Sequence, residues 1–438
     1  MAKVKDILGI NARGNEYLRL NRKGARKRCD DKLLTKRFLR RNKIPHPRLL
    51  KKFKSLDDLR DFDWMSLKAD RGFVIKPVQG LAGNGISIVK KPSKFAYEWR
   101  GMRGEKIVVS DLEFQVRDIL EGRYSRNNIA DQAIVEERVM IHPKFAKLAR
   151  GGTPDVRVVV FNGIPVMAML RLPTEESGGR ANLHYGAVGL GVDIATGITT
   201  FGVYRDNLVK YFPGGGNKKV NGISVPFWKS CLLTAVEAAN RAKLFYGGVD
   251  MLLDRERGPL VIELNDQPGL SIQLANRAGL KRRLERVEGL EVESAEKGVM
   301  IAKSLFASKF ANRVKNVPGE KRIVGIFETV KIKISKKGRA EVKVKVDSGA
   351  KSSSIDEILA ENLGLMKPEN VLWEKRFKSA LGVQNRQMIR IVFWLKGRRI
   401  ETRAGVTDRH SLRRKMIIGR RDLREFLVDS SLVRLRKK

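Results

Sequence analysis

Two short apolar segments near residue 255, VDMLLD and LVIELN, predict a β-hairpin that carries acidic residues. Asp250 begins the first predicted strand, and Glu263 and Asn265 lie two positions apart on the second. Because side chains alternate between the faces of a strand, Glu263 and Asn265 face the same side. An unpaired carboxylate among apolar residues is unfavourable, and carboxylate and amide oxygens suit Mg²⁺. The hairpin therefore predicts a metal site at Asp250, Glu263 and Asn265, with ordinary polar hairpin residues as the alternative.

A glycine-rich segment follows an earlier predicted strand. Lys76 ends the strand FVIKPV and precedes Gly80, Gly83 and Gly85, and the strand ISIV comes next. Glycines let a backbone turn tightly and present N–H groups to phosphates, and a nearby lysine supplies positive charge. The segment lacks the GxxxxGK[ST] pattern of P-loop proteins. It indicates a phosphate-binding loop, although glycine-rich hairpin tips also occur without any ligand.

The chain is strongly basic. It has 438 residues, with 89 Lys and Arg against 48 Asp and Glu, and a formal net charge of +41. Such a charge favours polyanionic partners: nucleic acid, an anionic membrane surface or an acidic protein. The excess is spread along the chain, which is equally typical of a solvated surface without a dedicated partner.

Several classes of protein are excluded by composition. No apolar run reaches the roughly 18–20 residues of a membrane span, and the N-terminus has no apolar signal segment. Only two cysteines occur, Cys29 and Cys231, so neither a disulfide framework nor a cysteine zinc site is expected. We therefore expect a cytoplasmic protein.

A change of pattern near residue 310 predicts two domains. We expect a helical segment at 1–60, a main domain at 61–300, a linker at 301–321 that contains Pro318-Gly319, and a small, mostly β domain at 322–438. In the last domain, alternating apolar residues predict a hairpin that ends in Asp347-Ser348-Gly349.

The order of these motifs resembles the ATP-grasp superfamily over about residues 15–290. The family shows a lysine before a glycine-rich lid, then an acidic hinge, then Asp…Glu-x-Asn. Here these are KPVQGLAGNGI, IVEERV and VDMLLD…IELNDQPGL, preceded by DDKLLTK. The chain is most similar to α-L-glutamate-ligase-like members of the sugar-transfer-associated type. The resemblance implies an α+β fold, with ATP and Mg²⁺ (or Mn²⁺) as cofactors. It also implies a ligase that activates a carboxylate as an acyl phosphate and joins it to an amine of an amino acid, peptide or protein.

The resemblance also assigns roles to residues. Lys32 and Lys76 would contact ATP phosphates beneath a lid with Gly83 and Gly85, and the main chain of Glu136, Glu137 and Val139 would read the adenine base. Asp155, Arg157, Arg171 and Asn182 would surround the γ-phosphate and the acyl phosphate, and His184 could serve the incoming amine. Surface charges, a strand running into solvent and a structural loop histidine are the alternatives. Only about 30 residues precede Lys32, where many relatives have a full domain, so we expect the acid or amine site to be built differently from that of glutamate ligases.

The tail resembles retropepsin-like aspartic proteases, including the group called ATP-dependent zinc proteases. The resemblance rests on the Asp347-Ser348-Gly349 loop and on GVTDRHSLRRKMIIGRRDL. An aspartic protease needs two carboxylates that share a proton, so Asp347 would act in a homodimer. A common Asp-Ser-Gly turn is the alternative, and His410 has no obvious zinc-ligand partners in the sequence.

Two other classes of function stay open at this point. The basic surface could belong to a nucleic-acid-associated or ribosome-associated protein, with the tail as a binding module. The tail could instead process peptides that the ligase makes.

Overall fold

The computed structural model divides the chain into two compact units, 1–315 and 316–438. It describes residues 4–67, 69–80, 83–93, 95–102, 104–125, 128–146, 148–149, 152–214, 217–307, 322–335, 338–379, 382–430 and 432. Of the predicted linker 301–321, residues 301–306 end a helix, and residues 308–321 lie outside the described residues.

The first sheet of the N-terminal unit has six strands in the order β1-β6-β2-β3-β4-β5, all paired antiparallel. One face of this sheet packs its apolar residues, such as Phe73 and Ile75, against helix α5. Because side chains alternate, Lys76 and Glu136 lie on the other face. The strands are β1 Leu49–Phe53, β2 Phe73–Pro77, β3 Ser87–Pro92, β4 Glu98–Gly101, β5 Lys106–Val108 and β6 Ala133–Glu137.

Helix α3, Lys32–Arg41, lies on the same face as Lys76. Its N-cap is Asp31, whose carboxylate accepts a hydrogen bond from the Leu34 N–H at 2.9 Å. Leu33 of this helix packs with Val78 and Ile134 in a small buried cluster. The cap and the cluster together place Lys32, at the start of the helix, beside the segment that follows β2.

The second sheet has seven antiparallel strands in the order β11-β10-β9-β8-β7-β12-β13. One hairpin of this sheet turns at Asn162-Gly163, where both residues have positive φ, 50° and 67°. The strands are β7 Asp155–Phe161, β8 Ile164–Leu172, β9 Val188–Val192, β10 Thr199–Tyr204, β11 Asn207–Val209, β12 Tyr246–Asp254 and β13 Gly258–Asn265.

Strand β12 begins earlier than the sequence predicts. Asp250 is its fifth residue rather than its first, because Gly247 and Gly248 already pair with Val160 and Val159 of β7. A Cβ on Gly248 would lie 3.0 Å from Cβ of Pro268, so a glycine there lets the chain after β13 pass close to the strand.

The remaining helices of this unit are short except for α5, α7 and α10. Helix α7 contacts β7, β8, β12 and β13 and contributes the buried Leu232 and Val236. The helices are α1 Ile10–Ala12, α2 Lys23–Asp30, α4 Asp57–Arg60, α5 Val109–Leu120, α6 Pro143–Ala146, α7 Trp228–Ala242, α8 Ile272–Asn276, α9 Leu280–Glu285 and α10 Ala295–Phe306. In the part of the chain that the structure describes, no helix is both long and apolar enough to span a bilayer.

The C-terminal unit is a β-barrel. Its main sheet has the order β15-β16-β21-β17-β20-β19-β18 and closes because β15 also pairs with β19. Alternating residues such as Val342, Val344 and Val346 point into the core. The elements are β14 Arg322–Val324, β15 Phe327–Lys333, β16 Arg339–Asp347, β17 Ser354–Asp356, α11 Glu357–Asn362, β18 Val371–Ser379, β19 Gly382–Leu395, β20 Arg398–Thr407, β21 Met416–Gly419 and β22 Phe426–Val428.

Candidate active site

A row of charged side chains crosses four strands of the second sheet. The register pairs Glu263 with Asp250 and Asp250 with Arg157, and one step further it pairs Asp155 with Arg171. Residues paired across antiparallel strands point to the same face, and so do residues two apart on one strand. All five side chains therefore lie on one face of the sheet.

Four of these residues form a buried ion-pair network. Arg157 donates to both oxygens of Asp250 at 2.7 and 2.6 Å. Arg171 donates to both oxygens of Asp155 at 2.6 Å and to Oδ2 of Asp250 at 2.7 Å. Burial opposes ionisation of Asp250, but the two arginines outweigh it and lower the pKa of this carboxyl to about 2. The two arginines are thus buried and paired, not surface charges.

Glu263 and Asn265 are partly accessible to solvent, whereas Asp250 is buried. Both are half-buried, although Val261 and Leu264 on the same strand are fully enclosed. No described residue hydrogen-bonds or ion-pairs with the Glu263 carboxylate, whereas Oδ1 of Asn265 accepts a hydrogen bond from the Gln267 N–H at 2.8 Å. A bulge between Asp250 and Met251 shifts the register here, and bulges often adjust side chains next to active sites.

The residues fit a magnesium site in part. Glu263 offers a free carboxylate beside the amide oxygen of Asn265, which matches the hard oxygen ligands that Mg²⁺ prefers. Both oxygens of Asp250, by contrast, are held by arginines. Within the described ranges, no group of three or more His, Cys, Asp or Glu side chains is placed to hold a metal ion.

A second buried cluster of charged residues lies on the face of the first sheet opposite helix α5. The Glu136 carboxylate binds the Lys76 amine at 2.8 Å and the Lys36 amine at 3.0 Å. Burial raises the pKa of Glu136, but the two lysines outweigh burial and lower it below its usual value. Sequence reasoning missed Lys36, and the available signal was its position four residues after Lys32 on one helix face.

Lys32 ties helix α3 to the segment after β2. Its amine donates to the carbonyl oxygens of Val78 at 3.1 Å and Gly80 at 2.7 Å. Burial lowers the pKa of Lys32, and the negative charge of Glu263 is the largest opposing influence. Helix α3, which begins at Lys32, contacts strand β13, which carries Glu263, so the two residues belong to elements that touch each other.

The glycine-rich segment needs its glycines. Gly83 and Gly85 have φ of +80° and +70°, and a Cβ on Gly85 would lie 2.6 Å from the Tyr124 ring. Arg180, in the loop between β8 and β9 of the second sheet, contacts this segment and donates to Oδ1 of Asn84 at 3.0 Å. Leu81 and Ala82, at the predicted lid, lie outside the described residues.

Some backbone groups of the predicted adenine hinge have no hydrogen-bond partner among the described residues. The Glu137 N–H donates to the Arg48 carbonyl at 3.0 Å, and the Arg138 N–H donates to the Gly72 carbonyl at 3.1 Å. The Glu137 carboxylate accepts from Arg257 at 2.6 Å. Among the described residues, the C=O of Arg138 and the N–H and C=O of Val139 have no hydrogen-bond partner, so these groups remain available to a ligand.

Strands β2, β12 and β13 each carry one apolar side chain that is half-exposed: Val74, Leu252 and Ile262 respectively. Val74 lies on the same face of β2 as Lys76, and Leu252 on the same face of β12 as Asp250. An apolar side chain on these faces provides a surface on which a flat ring system can pack.

Asn182 and His184 make local contacts in the loop between β8 and β9. Oδ1 of Asn182 accepts a hydrogen bond from the His184 N–H at 3.1 Å and caps a short 3₁₀ turn at Leu183–Tyr185. The His184 side chain is exposed. The described contacts do not join these two residues to the arginine network.

In the C-terminal barrel, Asp347 ends strand β16. Its Oδ1 accepts hydrogen bonds from the Gly349 N–H at 3.0 Å and the Ala350 N–H at 3.1 Å. Strand β16 pairs in parallel with β21, so Asp347 lies opposite Gly419. Both oxygens of Asp422 nearby are bound by hydroxyl groups, of Ser353 at 2.5 Å and of Thr402 at 2.8 Å. His410 is exposed.

Solved structures similar to the chain include two D-alanine–D-alanine ligases and a structural-genomics protein. The Bacillus anthracis ligase complexed with ATP has 14% identity over 64% of this chain and 70% of that one, with a TM-score of 0.36. The Coxiella burnetii ligase has 15% identity over 61% of this chain, which spans 58% of that ligase, with a TM-score of 0.36. Protein Lpg0085 of Legionella pneumophila, of unknown function, has 14% identity over 26% of this chain and 97% of its own length, with a TM-score of 0.18. At these TM-scores the likenesses assign no activity.

No curated protein matches the chain. The model of the family described as sugar-transfer associated ATP-grasp matches residues 12–289. This match covers more than half of the chain and confirms the resemblance to ATP-grasp proteins. The chain belongs to the sugar-transfer associated ATP-grasp family.

Proposed function

We propose that the chain is an ATP-dependent ligase that joins a carboxylate to an amine through an acyl phosphate. The observation that carries this proposal is the charged row from Glu263 to Arg171, whose strand β13 contacts the helix that begins at Lys32. Family membership supports the use of ATP. The reaction brings a carboxylate anion to a triphosphate, so a site that performs it must neutralise negative charge on both reactants.

The nucleotide would lie between the two sheets. Lys32 and Lys76 would bind its phosphates, and the free N–H and C=O of Val139 would bind the edge of the base. The half-exposed Val74, Leu252 and Ile262 would pack against the base, and the segment with Gly83 and Gly85 would close over the phosphates.

Glu263 and Asn265 would hold the magnesium ion, which draws charge from the phosphates when bound. Asp250 supports this role indirectly in the structure, since it fixes Arg157 and Arg171 next to Glu263. Asp250 becomes a third ligand only if those arginines turn towards the phosphates.

Arg157 and Arg171 supply fixed positive charge where the phosphoryl group is transferred. Their bidentate pairing with Asp250 and Asp155 locks both guanidinium groups before substrate arrives, so no reorganisation is needed during the reaction. Asn182 would join them when the loop between β8 and β9 moves towards the glycine-rich segment, and His184 would then face the amine. The amine substrate is an amino acid, a peptide or a protein.

ATP turnover by the purified protein tests the proposal. ADP release is measured with pools of amino acids and peptides, with and without Mg²⁺, for the wild type and for Glu263→Ala. We expect substrate-dependent ADP release from the wild type and a loss of at least a hundredfold in the variant. The proposal is wrong if the wild type neither binds nor turns over ATP, or if Glu263→Ala has full activity.

For the C-terminal barrel we propose an aspartic-protease-like unit of the retropepsin type. The observation that favours it is the Asp347 loop, whose backbone N–H groups hold the carboxylate beside the parallel β16–β21 pair. One such loop is present per chain, so proteolysis would need a homodimer. Cleavage of a peptide library by the wild type but not by Asp347→Asn, with ATP turnover equal in both, would support activity, and equal cleavage by both would refute it.

A further inference from the structure

A cavity of about 900 Å³ lies at the end of the first sheet, where β6 runs into the hinge. Its wall is built from helix α3, strand β1, the segment before β2 and the turn after β12. The residues assigned above to phosphate and metal, namely Lys32, Lys76, Glu263 and Asn265, do not line it. The cavity borders the hinge through Glu137, Arg138 and Met140 and is otherwise separate from the proposed nucleotide site.

The wall of this cavity is strongly basic. Eight Lys or Arg side chains line it against three Asp or Glu. Two of the three acidic residues are already engaged, because Glu137 binds Arg257 at 2.6 Å and Asp254 lies 3.5 Å from the same guanidinium. Most of the positive charge on the wall is therefore not neutralised from within the wall.

Five of the lining cations have no acidic partner among the described residues: Arg37, Arg40, Arg48, Lys52 and Arg138. Burial, and then the positive charges of Lys54 and Arg37, lower the pKa of Lys52. Like charges gathered around one concave surface raise its electrostatic potential, and a bound anion lowers that energy. The arrangement is therefore suited to an anionic ligand.

We propose that this cavity is a second anion site, which takes a small ligand carrying two or more phosphate groups. Guanidinium groups present paired N–H donors that match phosphate oxygens, and four of the five cations without an acidic partner are arginines. The volume lies within the range of small-molecule sites, about 300–1,000 Å³. A ligand with several charges is required because several unneutralised cations surround one space.

The site is tested with tripolyphosphate as the probe, by calorimetry, with Mg-ADP saturating and Mg²⁺ in excess. The test variant is Arg40→Glu with Arg48→Glu. The matched control is Arg41→Glu with Arg241→Glu, which changes the net charge equally at two exposed arginines that do not line the cavity. Lys36 is left unchanged because it also binds Glu136.

We expect the Kd of tripolyphosphate to rise at least tenfold in the test variant and less than twofold in the control. Equal weakening in both variants would mean that only the overall charge matters, and the proposal would be wrong. Loss of probe binding to the wild type when Mg-ADP is added would show that the probe occupies the nucleotide site, which also overturns it. Thermal unfolding of both variants within a few degrees of the wild type establishes that neither change acts through unfolding.

Discussion

Asp250 and Arg157 are cross-strand neighbours on β12 and β7 and form a buried bidentate ion pair, with N–O distances of 2.7 and 2.6 Å. Asp250 also accepts from Arg171, so one carboxylate holds two arginines in place. Glu263 is the next residue across the sheet and has no such partner among the residues that the structure describes. Two carboxylates of one predicted metal site therefore have different physical roles.

Replacement of these two carboxylates separates folding from metal binding. We expect Asp250→Ala to destabilise the N-terminal unit by about 3–5 kcal/mol, because it leaves the buried Arg157 without its partner and removes one of the two carboxylates that bind Arg171. Glu263→Ala should change the free energy of unfolding by no more than about 1 kcal/mol, since Glu263 is half-buried and unpaired. Urea unfolding and Mg-dependent ADP binding are measured on both. Equal destabilisation would contradict the two roles, as would unchanged Mg dependence in Glu263→Ala.

Lys36 makes stability depend on pH in the alkaline range. Burial lowers its pKa from 10.5 to about 8, although Glu136 opposes the shift. Between these two values the unfolded chain binds more protons than the folded one, so this lysine's contribution to stability rises with pH. The penalty of a buried charge is fully present below pH 8 and is relieved above it.

The measurement compares the wild type with Lys36→Met by urea unfolding at pH 7.5, 8.5 and 9.5. The variant cannot titrate at this position, so the stability of the wild type relative to it should increase with pH. A constant difference across the three pH values would show that Lys36 keeps its ordinary pKa.

Local patterns predicted the parts of the site that depend on local geometry. Glu263 and Asn265 share a face because they are two apart on a strand, so their common orientation could be predicted from the sequence. Lys32 was assigned only through the family resemblance. The pairing of Asp250 with Arg157 could not be predicted from local patterns, since it depends on the register between strands about 90 residues apart in the chain. The same reason explains why Lys36 was missed, because its partner Glu136 comes from β6.

Substitution of Gly85 tests whether the glycine-rich segment needs a glycine at this position. Its φ of +70° disfavours any side chain, and a Cβ would meet the Tyr124 ring at 2.6 Å. Gly104 is the matched control, with φ of +90° and nothing within 4 Å of an added Cβ. We expect Gly104→Ala to cost about 1–2 kcal/mol from the backbone alone. Gly85→Ala should cost a further ~1–3 kcal/mol from the clash and should weaken ADP binding. Thermal unfolding and ADP titration measure both effects, and equal losses in the two variants would rule out a specific role for the Tyr124 contact.

Arg180 links the loop between β8 and β9 to the glycine-rich segment. It donates to Asn84 at 3.0 Å, and its guanidinium lies 4.7 Å from the centre of the Tyr185 ring. If this segment closes over the nucleotide, the loss of Arg180 should let it open more often and release product sooner. We expect Arg180→Ala to speed the dissociation of fluorescent ADP several-fold in stopped-flow experiments. The association rate should change little, because the charge removed is small against the net +41. Arg205→Ala is the control: Arg205 also lies over a tyrosine ring, that of Tyr204 at 5.6 Å, but its ion pair is with Glu176. Dissociation at the wild-type rate from Arg180→Ala, or equal acceleration in both variants, would show that this contact does not hold the segment closed.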